Sequence, residues 1–245
     1  MKILSTFSLV LLFSVSGFAE AQPGRAIDID GIGYVQVPNF SSLDGANDIT
    51  LEAWVYLKSD AAEWDRILDA DSGVSGANQQ PRFMMGFGMN NRIRFRINDY
   101  GQYQYLFGME SISAVPTSQW AHIACVRSSG NMRIYINGVQ DANVGYFTNP
   151  IQTFANNPDL SIGSITGYLG CGGPCSYLPG MVDEVRIWSR ALSEAEIRHK
   201  MTERLAGAVP GLVAYYRMDE GTDNTCPGGQ DVCDASGNGN HGVKF

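Results

Sequence analysis

Many short segments of this sequence alternate strictly between apolar and polar residues. In Ile49–Leu57 the odd-numbered positions are aliphatic, and the even-numbered ones are polar or aromatic. Arg92–Asn98 alternates in the same way, with Arg92, Arg94 and Arg96 separated by apolar residues. Because successive side chains of a β-strand point to opposite faces, each segment predicts a strand with one face buried.

Further segments extend this pattern along the chain. Met132–Ile136 is followed by Asn137-Gly138, the strongest short signal for a β-hairpin. Short apolar strands are also predicted at Ile123–Val126, Leu160–Ile162, Val182–Trp188 and Leu212–Tyr216. Strands with one buried face pack as stacked antiparallel sheets. The predicted fold is therefore all-β: an antiparallel two-sheet jelly-roll sandwich.

One short helix is predicted in the C-terminal half. Ser193 and Glu196 have the spacing of a capping box, in which each side chain bonds the backbone N–H of the other residue. Ala195, Ile197 and Met201 form a thin apolar stripe after this cap. We expect the helix to pack on an edge of the sandwich.

The first residues have the composition of an export signal. Lys2 precedes the apolar stretch Ile3–Phe18, and Ala19-Glu20-Ala21 provides small residues for cleavage after Ala21. The stretch is shorter than the ~20 apolar residues of a membrane-spanning helix. The expectation is a signal peptide over 1–21, no transmembrane anchor, and a secreted or periplasmic protein.

Charge argues against nucleic acid as a partner. The formal net charge is −8 and is unchanged by cleavage, because Lys2 and Glu20 leave together. Nucleic-acid phosphates require a Lys/Arg surface, and no basic cluster is present in the sequence.

Five cysteines occur in a chain for which export makes disulfides the default. The shortest-range pairing is Cys171–Cys175 and Cys226–Cys233, and it leaves Cys125 as a buried thiol in an apolar strand. A zinc site is disfavoured because the three histidines are scattered and four clustered ligands are needed.

The cleaved chain divides into a main domain over 22–210 and a tail over 211–245. The tail contains Leu212–Tyr216 and a Gly-rich loop with Cys226 and Cys233. It either supplies the closing strand of the same sandwich or opens a further module.

Three ordered stretches resemble laminin-G-like jelly-roll domains of the concanavalin A-like lectin/glucanase superfamily, and they are also pentraxin-like. The stretches are Ala26–Gly31 with Tyr34–Pro38 and Ile49–Val55, then Trp120–Val126 with Met132–Gly138, then Gly180–Trp188 with Arg190–Ile197. They span about residues 26 to 200. The resemblance is specific for the fold and not for the ligand, because such scaffolds carry many functions.

The resemblance implies a structural calcium ion. Domains of this kind often hold one where Asp30, the Gly31 carbonyl and Asp183 stand in this sequence. Calcium takes about six to eight oxygen ligands from carboxylates and carbonyls, and an exported protein meets it at high concentration. The alternative is that Asp30 caps a turn and Asp183 pairs with a nearby arginine.

The resemblance also raises glycoside hydrolysis, since laminarinase-type glucanases share the superfamily and use Glu-x-Asp-x-x-Glu on one strand. The nearest match begins at Glu63 and Asp65, but Leu68 replaces the final carboxylate. The acid/base partner is therefore missing. A serine triad is not indicated either, and alternation places His122 on the solvent face of its strand. We expect no enzyme activity.

Sugar binding is the function that the aromatic content favours. Aromatic rings stack on the apolar faces of sugars, and polar groups orient them. The candidate ligand-binding residues are Trp64, Tyr100, Tyr103 and Tyr105. The sequence predicts a non-catalytic module that recognises a glycan or glycosylated surface. The alternatives are a protein–protein adhesion module and a laminarinase-like hydrolase.

Overall fold

A computed structural model describes residues 25–70, 82–98, 106–146, 150–151, 159–166, 172–220 and 225–245. These residues form two seven-stranded antiparallel sheets stacked around one apolar core. The predicted all-β sandwich is confirmed.

The first sheet, sheet A, has the strand order β1-β12-β3-β8-β9-β10, with β13 also paired to β12. Its strands are β1 (Ile27–Asp28), β3 (Ile49–Leu57), β8 (Trp120–Ser128), β9 (Asn131–Ile136), β10 (Val139–Tyr146), β12 (Gly180–Trp188) and β13 (Leu212–Tyr216).

The second sheet, sheet B, has the order β14-β2-β11-β4-β5-β6-β7. Its strands are β2 (Val35–Val37), β4 (Arg66–Ala70), β5 (Phe83–Phe87), β6 (Arg92–Asn98), β7 (Leu106–Ala114), β11 (Leu160–Ile162) and β14 (Val243–Lys244). A short 3-10 turn over Met89–Asn91 joins β5 to β6.

Alternation fixes which side chains enter the core. The odd positions of β3 and the residues Ile93, Phe95 and Ile97 of β6 are fully buried between the sheets. The β9–β10 hairpin turns at Asn137 and Gly138, whose φ angles are 52° and 73°. A two-residue hairpin turn of this type requires positive φ at both positions, which Asn and Gly readily adopt. This hairpin prediction is confirmed.

Helix α1 (Glu194–Lys200) begins with the predicted capping box, in which Ser193 accepts from the Glu196 N–H and Glu196 accepts from the Ser193 N–H. The helix and the residues after it cover the outer face of sheet A. Trp54 Nε1 donates to the Met201 carbonyl at 2.9 Å, and Ile197 joins a second apolar cluster with Trp188 and Tyr215.

The prediction that His122 lies on a solvent face was therefore wrong. Its side chain does point away from the core, but only 1% of it is exposed. Alternation distinguishes the two faces of a strand and does not reveal what packs on the outer one.

The segment after residue 210 contributes a strand to each sheet. Strand β13 pairs with β12, and β14 pairs with β2. Cys226 and Cys233 form the predicted disulfide, and Cys125 is a buried free thiol, as predicted. Cys175 is disulfide-bonded, whereas its predicted partner Cys171 lies outside the described residues.

Across the residues described above, no helix combines the length and apolar character needed to cross a membrane.

Candidate functional site

The outer face of sheet B carries charged and aromatic side chains. Because Ile93, Phe95 and Ile97 enter the core, Arg94 and Arg96 project from the opposite side of β6. Arg66 reaches the same region from the start of β4, which pairs with β5 and through it with β6. Here this surface is called the arginine face. It consists of Glu63, Trp64, Arg66, Arg94, Arg96 and Glu110.

A tight turn before β4 presents Trp64. The Asp65 N–H donates to the Ala62 carbonyl at 3.1 Å, and the Asp65 carboxylate accepts from the Ala62 N–H at 2.7 Å. Trp64 has a φ of 83°, a left-handed conformation that bulky side chains rarely adopt. Such strain persists only where the surroundings enforce it, and it is frequent at functional sites.

The indole of Trp64 lies over two guanidinium groups. The Arg94 and Arg96 Cζ atoms stand 4.0 and 4.5 Å from the ring centroid. Contacts of this length are cation–π interactions, which also limit the motion of the ring. Trp64 is still 37% exposed. The ring is therefore both held and accessible.

Arg94 links two carboxylates. Its Nη2 atom lies 2.7 Å from Glu63 Oε1 and also contacts Glu110 Oε1, and its Nε donates to Glu110 at 2.6 Å. The Arg94 side chain is 9% exposed, and its Nη1 atom has no hydrogen-bond partner among the described residues. An unpaired buried donor is costly for the folded state.

Arg96 differs from its neighbours. Arg66 is paired with Asp69 at 2.6 Å and Arg94 with Glu63, but Arg96 has no ion pair within the described part of the chain. Burial and the charges of Arg94 and Arg66 lower the pKa of Arg96 to about 10. The charges of Glu110 and Glu63 offset this effect in part, but neither carboxylate forms an ion pair with Arg96.

A shallow pocket of about 110 Å³ opens between β6 and β7. Arg94, Arg96, Gly108, Met109 and Glu110 line it. Gly108 stands opposite Arg96 in the ladder, so the absence of a side chain there makes room for the Arg96 side chain. The pocket can accept a small polar group beside Trp64.

Of the four predicted ligand-binding residues, Trp64 is at the centre of the arginine face. Tyr100, Tyr103 and Tyr105 lie outside the described residues. Sequence reasoning missed Arg66, Arg94, Arg96 and Glu110 as members of a site. The alternating arginines of β6 were visible as a signal, but their convergence on Trp64 depends on the pairing of strands distant in sequence.

The predicted calcium ligands Asp30 and Asp183 have different neighbours in the structure. The carboxylates of Asp28 and Asp30 contact Lys58 Nζ at 2.7 and 3.1 Å. The Asp30 N–H donates to the Gly180 carbonyl. Gly180 and Asp183 are three residues apart on β12, which corresponds to about 10 Å at ~3.3 Å per residue. Gly31 follows Asp30 with a φ of 81°.

Asp183 itself is buried and accepts from the Glu184 N–H at 2.9 Å. Burial and the neighbouring charge of Glu184 raise the pKa of Asp183 to about 7. No cluster of three potential metal-ligating side chains occurs among the residues that the structure describes. The calcium site stays a prediction.

A second polar group is enclosed under helix α1. Glu52 accepts from Trp188 Nε1 at 2.7 Å, and its other oxygen lies 3.6 Å from His122 Nε2. Burial and the charge of Arg186 lower the pKa of His122 to about 3. His122 is therefore neutral, and this buried pair connects strands β3 and β8 rather than facing a cleft.

Comparison with known proteins supports the fold. Residues 30–198 match a laminin-G-like family model described as the concanavalin A-like lectin/glucanases superfamily. A comparison with curated proteins finds no significant match.

Solved structures with the same architecture include a protein from Bacteroides ovatus to which carbohydrate binding has been ascribed. It has a TM-score of 0.68 and 20% identity, and the match covers 90% of this chain. The chain spans 58% of the length of that protein.

Two further structures are similar over a smaller part of the chain. The CBM40 module of the Ruminococcus gnavus IT-sialidase, bound to α2,3-sialyllactose, has a TM-score of 0.59 and 14% identity, with 73% of this chain and 97% of that one covered. A heptameric SAP-like pentraxin from Limulus polyphemus has a TM-score of 0.51 and 14% identity, with 74% and 80% covered. At these identities the likeness shows the fold alone.

Proposed function

This chain belongs to the concanavalin A-like lectin/glucanases superfamily, and on that premise we propose that it is a non-catalytic carbohydrate-binding module. The arginine face is its binding surface, and Trp64 is the platform for a sugar ring. Export and a structural calcium ion are further parts of the proposal.

The observation that most supports this function is the way in which Trp64 is held at the surface. The turn from Ala62 to Asp65 holds the indole in a strained backbone conformation, over two guanidinium groups and beside a polar pocket. A partly exposed aromatic ring among fixed polar groups is the usual composition of a sugar site. The carbohydrate binding ascribed to the Bacteroides ovatus protein and the sialyllactose bound to CBM40 agree with this proposal.

The carboxylates near Trp64 support a non-catalytic function. Glu63 and Glu110 both contact Arg94, and the Asp65 carboxylate accepts the Ala62 N–H. A glycosidase needs one carboxylic acid that can donate a proton and one carboxylate that can act as nucleophile or base. Here each of the three groups is already engaged in the turn or with the guanidinium.

A glycan array followed by calorimetry with the best ligand tests the proposal. We expect Trp64→Ala to weaken binding by about tenfold or more, since stacked aromatic residues dominate binding energy. Tyr146→Ala is the matched control, because Tyr146 is 69% exposed on sheet A, and its affinity should stay within about twofold of the wild type. Equal affinity in the wild type and the Trp64 variant would exclude this face as the site.

Hydrolysis is a second candidate function because the carboxylates of Glu63 and Glu110 lie close together. Glu63 and Glu110 contact the same Arg94 nitrogen atom, so the carboxylates are about as close as the ~5 Å of a retaining glycosidase pair. Reducing-sugar release from β-glucans tests this candidate. Turnover that is lost in both Glu63→Gln and Glu110→Gln would replace the binding proposal by a hydrolase.

A further inference from the structure

We infer that the preferred ligand is an acidic glycan, in which the carboxylate of a sialic or uronic acid residue binds Arg96 beside Trp64. This inference rests on the proposed carbohydrate-binding function and specifies the chemical class of its ligand.

The charges of the arginine face favour an anion at Arg96. Asp69 pairs with Arg66, and Glu63 and Glu110 both pair with Arg94, whereas the described residues provide no direct ion pair for Arg96. The low pKa of Arg96 has burial as its main cause, followed by the two neighbouring guanidinium groups. A bound carboxylate would stabilise the charged form of this side chain.

The geometry favours a planar carboxylate carried by a ring. Guanidinium groups bind carboxylates through two parallel N–H donors, and such charge-assisted bonds are among the stronger hydrogen bonds in proteins. Arg96 lines the pocket of about 110 Å³, which can receive a carboxylate but not a whole sugar. The Trp64 ring, 4.5 Å from the same guanidinium, is placed to contact the sugar itself.

Arg94 lines the same pocket as Arg96. Its Nη1 atom is buried and has no partner among the described residues, although Nε and Nη2 are fully used. Gly108 keeps β7 free of a side chain opposite Arg96. A neutral sugar would leave Arg96 without a direct ion pair.

The experiment measures binding to matched acidic and neutral glycans. The pairs are α2,3-sialyllactose against lactose, and a glucuronate-containing oligosaccharide against its carboxyl-reduced form. The wild type should prefer at least one acidic member by about tenfold or more, which identifies sialic or uronic acid as the source of the carboxylate.

Arginine variants test whether Arg96 causes the preference for acidic glycans. In Arg96→Gln the acidic preference should fall to about twofold or less, whereas Arg96→Lys should retain part of it, because lysine keeps the charge but not the planar donor pair. Arg92→Gln is the control, since Arg92 lies on the same strand, is exposed and contributes nothing to the pocket. It should bind like the wild type.

The outcomes separate this inference from the proposed function. If the acidic and neutral glycans of each pair bind equally and Trp64→Ala abolishes both, the acidic specificity is overturned. The proposed sugar site at Trp64 is then retained. An acidic preference unchanged in Arg96→Gln would also overturn the inference. Absence of binding to every glycan tested would overturn the carbohydrate-binding function itself.

Discussion

Gly108 lies directly opposite Arg96 in the ladder between β6 and β7, and a Cβ atom at position 108 would stand 2.6 Å from Arg96 Cγ. It would also come within 3.2 Å of the Phe95 carbonyl oxygen, which cannot move without distorting β6. The position of the Arg96 side chain therefore depends on a missing side chain across the ladder.

Gly108→Ala should consequently weaken glycan binding through Arg96 without removing any polar group. We expect affinity to fall by about tenfold, because recognition requires groups held to within a fraction of an ångström. Calorimetry measures the loss. Gly173→Ala is the control, since a Cβ there meets nothing within 4 Å. Unchanged affinity in Gly108→Ala would show that Arg96 does not contact the ligand.

The buried His122 predicts an acid sensitivity. In the unfolded chain its pKa is about 6.5, but in the folded protein burial lowers it to about 3. Between these values the unfolded chain binds the additional proton, so this residue contributes a loss of stability as the pH falls from about 6.5 towards 3.

His122→Gln should therefore lose less stability on acidification than the wild type. Chemical denaturation at pH 7 and pH 4 gives the two free energies of unfolding, and the difference between them should be smaller in the variant. An equal acid sensitivity in His122→Gln would contradict the neutral buried state.

Calcium should raise the melting temperature if the predicted ion is bound, because a ligand of the folded state stabilises it by mass action. Asp183 is the position to substitute, since Asp30 already pairs with Lys58 and Asp183 is buried on β12. Asp183→Asn should remove the calcium effect, because an ion would balance the charge of this buried carboxylate. If the melting temperature is the same in calcium and in chelator, the calcium prediction is wrong.

Asp234 should be important for stability. Its carboxylate accepts the backbone N–H groups of Tyr215, Ser236 and Asn240 at 3.0, 2.9 and 3.0 Å, and the residue is 6% exposed. Asp234→Ala leaves buried donors unpaired and should lower the free energy of unfolding by about 3 kcal/mol or more. Asp48→Ala, which removes a single exposed acceptor for Ser129, should cost less than about 1 kcal/mol. Similar losses in both variants would contradict this role.

Local rules account for the parts of the fold that the sequence predicts. The odd positions of β3, the Asn137-Gly138 turn and the Ser193–Glu196 cap depend on residues within a few positions of one another. Their conformations follow from side-chain periodicity and turn chemistry.

The arginine face depends on relations that such rules do not reach. Arg94 pairs with Glu110 across the β6–β7 register, and Trp64 joins them from a turn before β4. The sequence shows neither the register nor the positive φ of Trp64. For the same reason the burial of His122 could not be predicted, since it depends on helix α1 packing over sheet A.

The pairing of β13 with β12 and of β14 with β2 has a consequence for dividing the protein. The family match ends at residue 198, before either of these strands. A fragment cut there would expose unpaired N–H and C=O groups along β12 and β2, a template on which other chains add as further strands. Such a fragment should aggregate, so the smallest soluble unit includes both strands.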